Sequence, residues 1–228
     1  MALLDHVTVD DSLGPAVVAE RTATFAPGSA DLVVTRAGAG GDVPFAMWIN
    51  EHAIDALPTG SYTGNRVDEI LVDPTGANGM GGLQQDATMR DRGVPYRIGD
   101  SSVDRLGIGE GGRTARSRTT LTIEPGVVMR FTPGTRLNVE LYTGDFTASG
   151  VLRAVGTAAR PIVMTSAAAT PRPGDWSGIW YGGIPSADNR LEHMSLQYTG
   201  YDCGCVLAGC AQTLPGFTEG CGPRRACR

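Results

Sequence analysis

The groups in this 228-residue chain most able to do chemistry are its carboxylates, its arginines and one small aromatic cluster. Asp68, Glu69 and Asp73 form one acidic group, and Asp5, Asp10 and Asp11 form another. Hard cations need converging oxygen ligands of this kind. In a strand, though, adjacent side chains point to opposite faces, which separates Asp68 from Glu69. Solvated acidic faces are the simpler reading, and no metal or cofactor is assigned. Paired carboxylates could also flank a glycosidic bond. Asp10-Asp11 is the only adjacent aspartate pair, and no catalytic residue is assigned to it.

Trp176, Trp180 and Tyr181 are the densest aromatic cluster. On one strand Trp176 and Trp180 would share a face, with Ser177, Ile179 and Tyr181 on the other. Rings spaced this way could stack on sugar rings. Against that, Trp176 could instead plug the space beneath the Pro173-Gly174-Asp175 turn. Arg113, Arg116 and Arg118 form a short basic run able to clamp carboxylates bidentately, diluted by Asp100, Asp104 and Glu110. The candidate ligand-binding residues are therefore Trp176, Trp180, Tyr181, Arg113, Arg116 and Arg118. Histidine occurs at 6, 52 and 193 only. His6 and His193 follow similar residues in similar segments, which favours a repeated structural role over catalysis. No Gly-x-Ser-x-Gly elbow points to a nucleophile.

Whatever holds these groups in place must be built from short pieces. Glycine (32) and proline (14) are abundant, and a helical bundle would need far more Ala, Glu, Lys and Leu. A net charge of −5 argues against nucleic acid as a partner. All 19 basic residues are arginine. No run approaches 18 apolar residues, so no membrane span is expected. Thr120 to Ile123, Val127 to Phe131, Leu137 to Leu141, Val151 to Val155, Pro161 to Ser166, Trp176 to Tyr181 and Arg190 to Tyr198 read as strands. Turns at Glu124-Pro125-Gly126 and Pro133-Gly134 separate the first of them. Only Pro15 to Phe25 and His52 to Leu57 could hold a helical turn.

Internal similarity organises these strands. Asn65-Arg66-Val67-Asp68-Glu69-Ile70-Leu71-Val72 aligns with Asn189-Arg190-Leu191-Glu192-His193-Met194-Ser195-Leu196, and Leu4 to Val9 aligns with Leu191 to Leu196. Phe25-Ala26-Pro27-Gly28-Ser29 matches Phe131-Thr132-Pro133-Gly134-Thr135. Strand–turn units recurring at roughly 25–35 residues point to a β-solenoid over a sandwich or barrel. The expected organisation is the end of one β-helix segment (1–75), a glycine- and arginine-rich connecting region (76–118), β-helix coils (119–200) and a Cys-rich tail (201–228). Cys203, Cys205, Cys210, Cys221 and Cys227 all lie in that tail, where disulfides, a metal site and unrelated sequence remain open.

From Leu121 onward the sequence resembles bacterial right-handed parallel β-helix repeat proteins of the pectate-lyase-like superfamily. The resemblance rests on Leu121 to Phe131, Gly150-Val-Leu-Arg-Ala-Val-Gly-Thr157, Arg160-Pro-Ile-Val-Met-Thr-Ser166, Pro173-Gly-Asp-Trp-Ser-Gly-Ile179 and Asn189 to Gly200. It implies an all-β, right-handed parallel β-helix, a solenoid in which Val, Ile, Leu and Met stack inward. Asn65 and Asn189 would stack at the turns, amide on amide. It also implies export to the cell surface or beyond, and polysaccharide as the common ligand. The beginning of the chain already reads as a strand without a signal peptide, so a segment of a larger surface protein is expected. Lyases of this superfamily combine a calcium-binding carboxylate cluster with an arginine or lysine base. A non-catalytic extracellular scaffold or adhesion module is the leading expectation, with a polysaccharide lyase or glycoside hydrolase as the alternative. End-to-end self-association through open coils is a further expectation.

Overall fold

The computed structural model describes residues 1–75, 82–102, 104–109, 118–139, 150–181 and 186–200. Arg113, Arg116 and the five cysteines lie outside these residues. Among the described residues seventeen short strands arrange in four sheets, and every pairing between them is parallel. The chain is a parallel β-helix.

The longest sheet has seven strands: β2 (Val17–Ala19), β4 (Phe45–Ile49), β6 (Val67–Val72), β8 (Tyr96–Ile98), β11 (Val128–Phe131), β14 (Ile162–Ser166) and β17 (Met194–Leu196). A second face leads into it. Its first half is β1 (Thr8–Asp10), β3 (Leu32–Thr35) and β5 (Gly60–Ser61). Its second half is β7 (Ala87–Met89), β10 (Thr119–Ile123), β13 (Gly150–Val155) and β16 (Arg190–Glu192). A third face holds β9 (Arg105–Ile108), β12 (Arg136–Val139) and β15 (Ile179–Tyr181).

Period-2 alternation explains why these segments form strands and which side they bury. In the long sheet Met47, Ile70, Tyr96, Met129 and Met164 align coil on coil, as do Ile49, Val72, Ile98 and Phe131. All are buried, and they form one continuous core. Each coil alone could not bury its apolar row; stacking does it.

Corners are set by local chemistry. In the two Phe-x-Pro-Gly-Ser/Thr segments Gly28 and Gly134 have φ of 88° and 92°, which glycine adopts without Cβ strain. The following hydroxyl closes each turn: Ser29 Oγ donates to the Ala26 carbonyl (2.8 Å) and Thr135 Oγ1 to that of Thr132 (2.6 Å). The asparagine expectation needs correcting. Asn65 Oδ1 accepts from Ala37 N (2.9 Å) and its amide donates to Val34 O (3.1 Å), while Asn189 Oδ1 accepts from Leu152 N (2.7 Å). Both side chains stitch to the backbone of the preceding coil, since that backbone offers unpaired groups at the corner.

Three other expectations change. Residues 76–118 are not a connector throughout, because β7, β8 and β9 fall there and pair in register with the coil that follows. Their strands are three or four residues long, too short to show alternation against a glycine-rich background. Pro15 to Phe25 contains strand β2, and the helical turn near His52 is a single 3₁₀ turn, Glu51–Ala53. His6 and His193 both adopt left-handed backbone, with φ of 53° and 46°, but at different corners. His193 bends the chain between β16 and β17, whereas His6 precedes β1. Among the described residues no helix is long and apolar enough to cross a membrane.

Candidate functional site

The outward side of the seven-stranded sheet gathers more ionisable groups than the sequence suggested. Because alternate residues point away from the core, one row carries Val18, Trp48, Leu71, Arg97, Arg130 and Thr165, each on the next coil, and of these Leu71 is covered. Neighbouring coils lie about 4.8 Å apart, so the row repeats on a polymer's length scale along the axis. Thr165 Oγ1 hydrogen-bonds Gln197 Oε1 (3.1 Å), which extends the row.

Glu69 leads that row from the same strand as Leu71 and is almost fully buried. Its carboxylate lies between two guanidinium groups. Arg130 Nη1 pairs with Oε1, and Arg97 Nη1 lies 3.6 Å from Oε2. Arg97 is held from several sides: Nε donates to Thr132 Oγ1 (3.1 Å), Nη1 to Ala167 O (3.2 Å), and its guanidinium sits over the Phe45 ring at 5.6 Å. Burial pulls Arg97 below its ordinary value, while Glu69 opposes the shift. Arg130 gives one nitrogen to Glu69, and its side chain remains one-third exposed. Two cations on one carboxylate leave a net positive charge, with the remaining Arg130 N–H groups as its outward donors.

At the ends of β6 and β8 the sign reverses. Asp73, Asp100 and Asp104 bring one oxygen each within 4.8 Å of the others. Asp104 Oδ2 accepts from the backbone N–H of Asp100 (2.9 Å) and Ser101 (2.7 Å), and Trp48 Nε1 donates to Asp73 Oδ2 (3.2 Å). Burial, then the charges of Asp100 and Asp104, push the Asp73 carboxyl up to about 6. Burial and Asp104 raise Asp100 as well.

This shift fixes a pH dependence. With its native value above the unfolded one, Asp73 binds a proton more readily in the fold, so its contribution is lost as pH rises from about 4 to about 6. Asp73→Asn is expected to melt a few degrees higher than wild type at pH 7.5. That corresponds to about 1 kcal/mol once solvent screening at this half-buried site is allowed for. Near pH 4 the two proteins should melt together, as thermal scans at both values would check.

The acidic groups expected from sequence are thus redistributed. Of the first group, Asp68 accepts from the backbone N–H of Asn65 (2.7 Å) and Gly64 (3.2 Å), Glu69 goes to the arginines, and Asp73 joins Asp100 and Asp104. Asp10 pairs with Arg36, while Asp5 and Asp31 flank His6 at 2.7 and 3.2 Å in an exposed corner. Asp5, foremost, raises His6 above its ordinary value.

The aromatic platform does not form as expected. Trp176 is fully buried, lies outside strand β15 and stacks on Phe131 with ring centroids 3.9 Å apart. Tyr181 and Ile179 pack against the core, so Trp180 alone points outward, beneath Arg136 at 4.8 Å. Arg118 forms an ion pair with Asp188.

Sequence reasoning missed Trp48, Arg97 and Arg130, and read Asp100 and Asp104 only as charges that dilute an arginine run. A signal existed: Tyr96-Arg97-Ile98 and Met129-Arg130-Phe131 each set one arginine between two core residues, one coil apart.

Residues 110–203 match the family model described as the pectate-lyase like beta helix domain. No curated protein and no solved structure matches the chain.

Proposed function

Taking as premise that residues 110–203 carry a pectate-lyase like β-helix domain, we propose that the protein is a non-catalytic extracellular scaffold that holds an acidic polysaccharide along its seven-stranded face. The observation that supports this is Arg97 and Arg130, set in an axial row with Trp48 and Thr165 and both engaged by the buried Glu69. A polymer on this row would place a carboxylate against Arg130, where a charge-assisted bond is geometrically open. Arg97 commits N–H groups to Thr132 and Ala167 and faces Glu69, which leaves Arg130 as the guanidinium to meet the polymer.

One observation favours the alternative, a lyase: the carboxylates of Asp73, Asp100 and Asp104 converge on the same face as the arginines. The experiment that separates the two incubates the protein with polygalacturonate, with and without calcium. Saturable binding without unsaturated-uronate absorbance is expected, and calcium-dependent absorbance would replace the scaffold reading with the lyase. Arg130→Gln should weaken polygalacturonate binding about tenfold, as befits one lost charged hydrogen bond. Unchanged affinity in that variant, with the fold intact by circular dichroism, would remove the face from consideration.

A further inference from the structure

The long sheet runs unbroken, but the face leading into it is split: β5 pairs only with β3, and β7 only with β10, among the described strands. Two adjoining clefts of about 540 and 590 Å³ open at this break, sharing Asp55, Asp86 and Ala87. The first has an apolar floor that includes Pro27, Leu57 and Leu83. The second is walled by Thr88, Thr120, Thr122 and Arg153 together with the two aspartates.

The second cleft is built in register. Thr88, Thr122 and Arg153 sit side by side on three successive coils. Its carboxylates are held by one oxygen each. Asp55 Oδ1 accepts from Thr88 N (2.9 Å) and Arg90 Nη1 (3.1 Å), and Asp86 Oδ1 from Thr120 N (2.7 Å). The Oδ2 atoms, the three threonine hydroxyls and the Arg153 guanidinium enter no hydrogen bond or ion pair among the described residues. Acceptors, two-way hydroxyls and a forked donor therefore alternate over two coil spacings, about 10 Å.

We propose that this cleft is a second binding site, separate from the seven-stranded face, that takes an uncharged oligosaccharide of about two sugar units. Vicinal hydroxyls donate to Asp55 and Asp86 and accept from Arg153 and the threonines. The C–H face of a neighbouring ring rests on the Pro27–Leu57–Leu83 floor. Arg90 and Arg92 also line the first cleft, but Arg90 is committed to Asp55 and Arg92 donates to the Leu57 carbonyl. Among the described residues Arg153 is then the one guanidinium left beside the free oxygens of Asp55 and Asp86, and these two carboxylates disfavour an acidic sugar there, the opposite preference to the arginine face.

Ligand-observed NMR titrations with maltose, cellobiose and digalacturonate test this on the whole chain. Saturable binding of a neutral disaccharide is expected, with digalacturonate much weaker. Thr122→Val and Arg153→Gln should each weaken the neutral sugar about fivefold, the loss of one hydrogen bond, while Arg130→Gln leaves it unchanged. Asp86→Asn should let digalacturonate in. Circular dichroism of each variant confirms that the fold persists. No saturable neutral binding, digalacturonate binding as tightly as the neutral sugars, or unchanged affinity in both Thr122→Val and Arg153→Gln would overturn the proposal. Loss of polygalacturonate binding in Arg130→Gln concerns the other face and leaves this result separate.

Discussion

Trp176→Ala is expected to cost about 3–5 kcal/mol of unfolding free energy, the range for emptying a large aromatic site in a core. Trp176 belongs to the coil of β13 to β15, yet its two partners are on other coils. Its ring lies parallel to Phe131 of the coil before, with 5° between the planes. Its indole N–H donates to the Gln197 carbonyl of the coil after, at 2.7 Å. The surrounding backbone repeats the connection, since Gly134 N donates to Asp175 O (2.7 Å) and Ser177 N to Thr135 O (2.9 Å). In a solenoid, where each coil touches only its neighbours, a side chain that bridges three coils carries coupling between them. Removing it should therefore broaden the urea transition as well as shift it. Trp176→Phe separates the contributions: the stack survives, the Gln197 carbonyl loses its donor, and the cost falls to about 1–2 kcal/mol. Equilibrium urea denaturation would measure both variants. A Trp176→Ala protein as stable as wild type, but unable to hold polygalacturonate, would return this residue to the surface role its spacing suggested.

That contrast shows what a single sequence can and cannot reveal about such a fold. The Phe-x-Pro-Gly-Ser/Thr corners were legible because the left-handed glycine and the hydroxyl bond that closes each turn lie within five residues. The matching of Asn65 to Val72 with Asn189 to Leu196 misled for the complementary reason. The first segment runs into a single strand, β6, whose register against β4 shifts between Val67 and Ile70, whereas the second turns at His193 and contributes to two faces. Similar residues acquired different places because the corner, set by one left-handed residue, is invisible in a pattern of apolar and polar positions. The site was hidden more deeply. Arg97 and Arg130 become neighbours only when connectors of unequal length have fixed which strands stack, and no local signal carries those lengths into register. Asp73 was visible as an acid, but its raised proton affinity comes first from burial and then from Asp100 and Asp104 of the next coil. Local chemistry thus identified the strands and corners, while the ligand-facing rows required the stacking itself.

The same dependence on stacking makes Glu69→Ala the second large effect. Glu69 is buried, but its partners keep contact with solvent: 22% of the Arg97 side chain and 33% of that of Arg130 are exposed. Deleting one member of a fully buried ion pair costs about 3–5 kcal/mol, because a charge is left without compensation. Here two arginines are left facing each other, yet each can turn partly to water, so the expected loss is about 2–3 kcal/mol. Added salt discriminates this account from a surface effect. Half-molar sodium chloride screens exposed charges within a few ångströms, but it should recover only a small part of a loss rooted beneath the sheet surface. Replacing all three residues, as Glu69→Leu with Arg97→Met and Arg130→Leu, removes the uncompensated charges together with the ion pairs. That variant should regain most of the stability lost in Glu69→Ala, since apolar groups of similar volume often replace a buried ionic network without penalty. It should not bind polygalacturonate. A triple variant that stays as unstable as Glu69→Ala would mean that the network holds the coils together in its own right. Recovery of stability with loss of binding would mean that the charges are kept for the ligand.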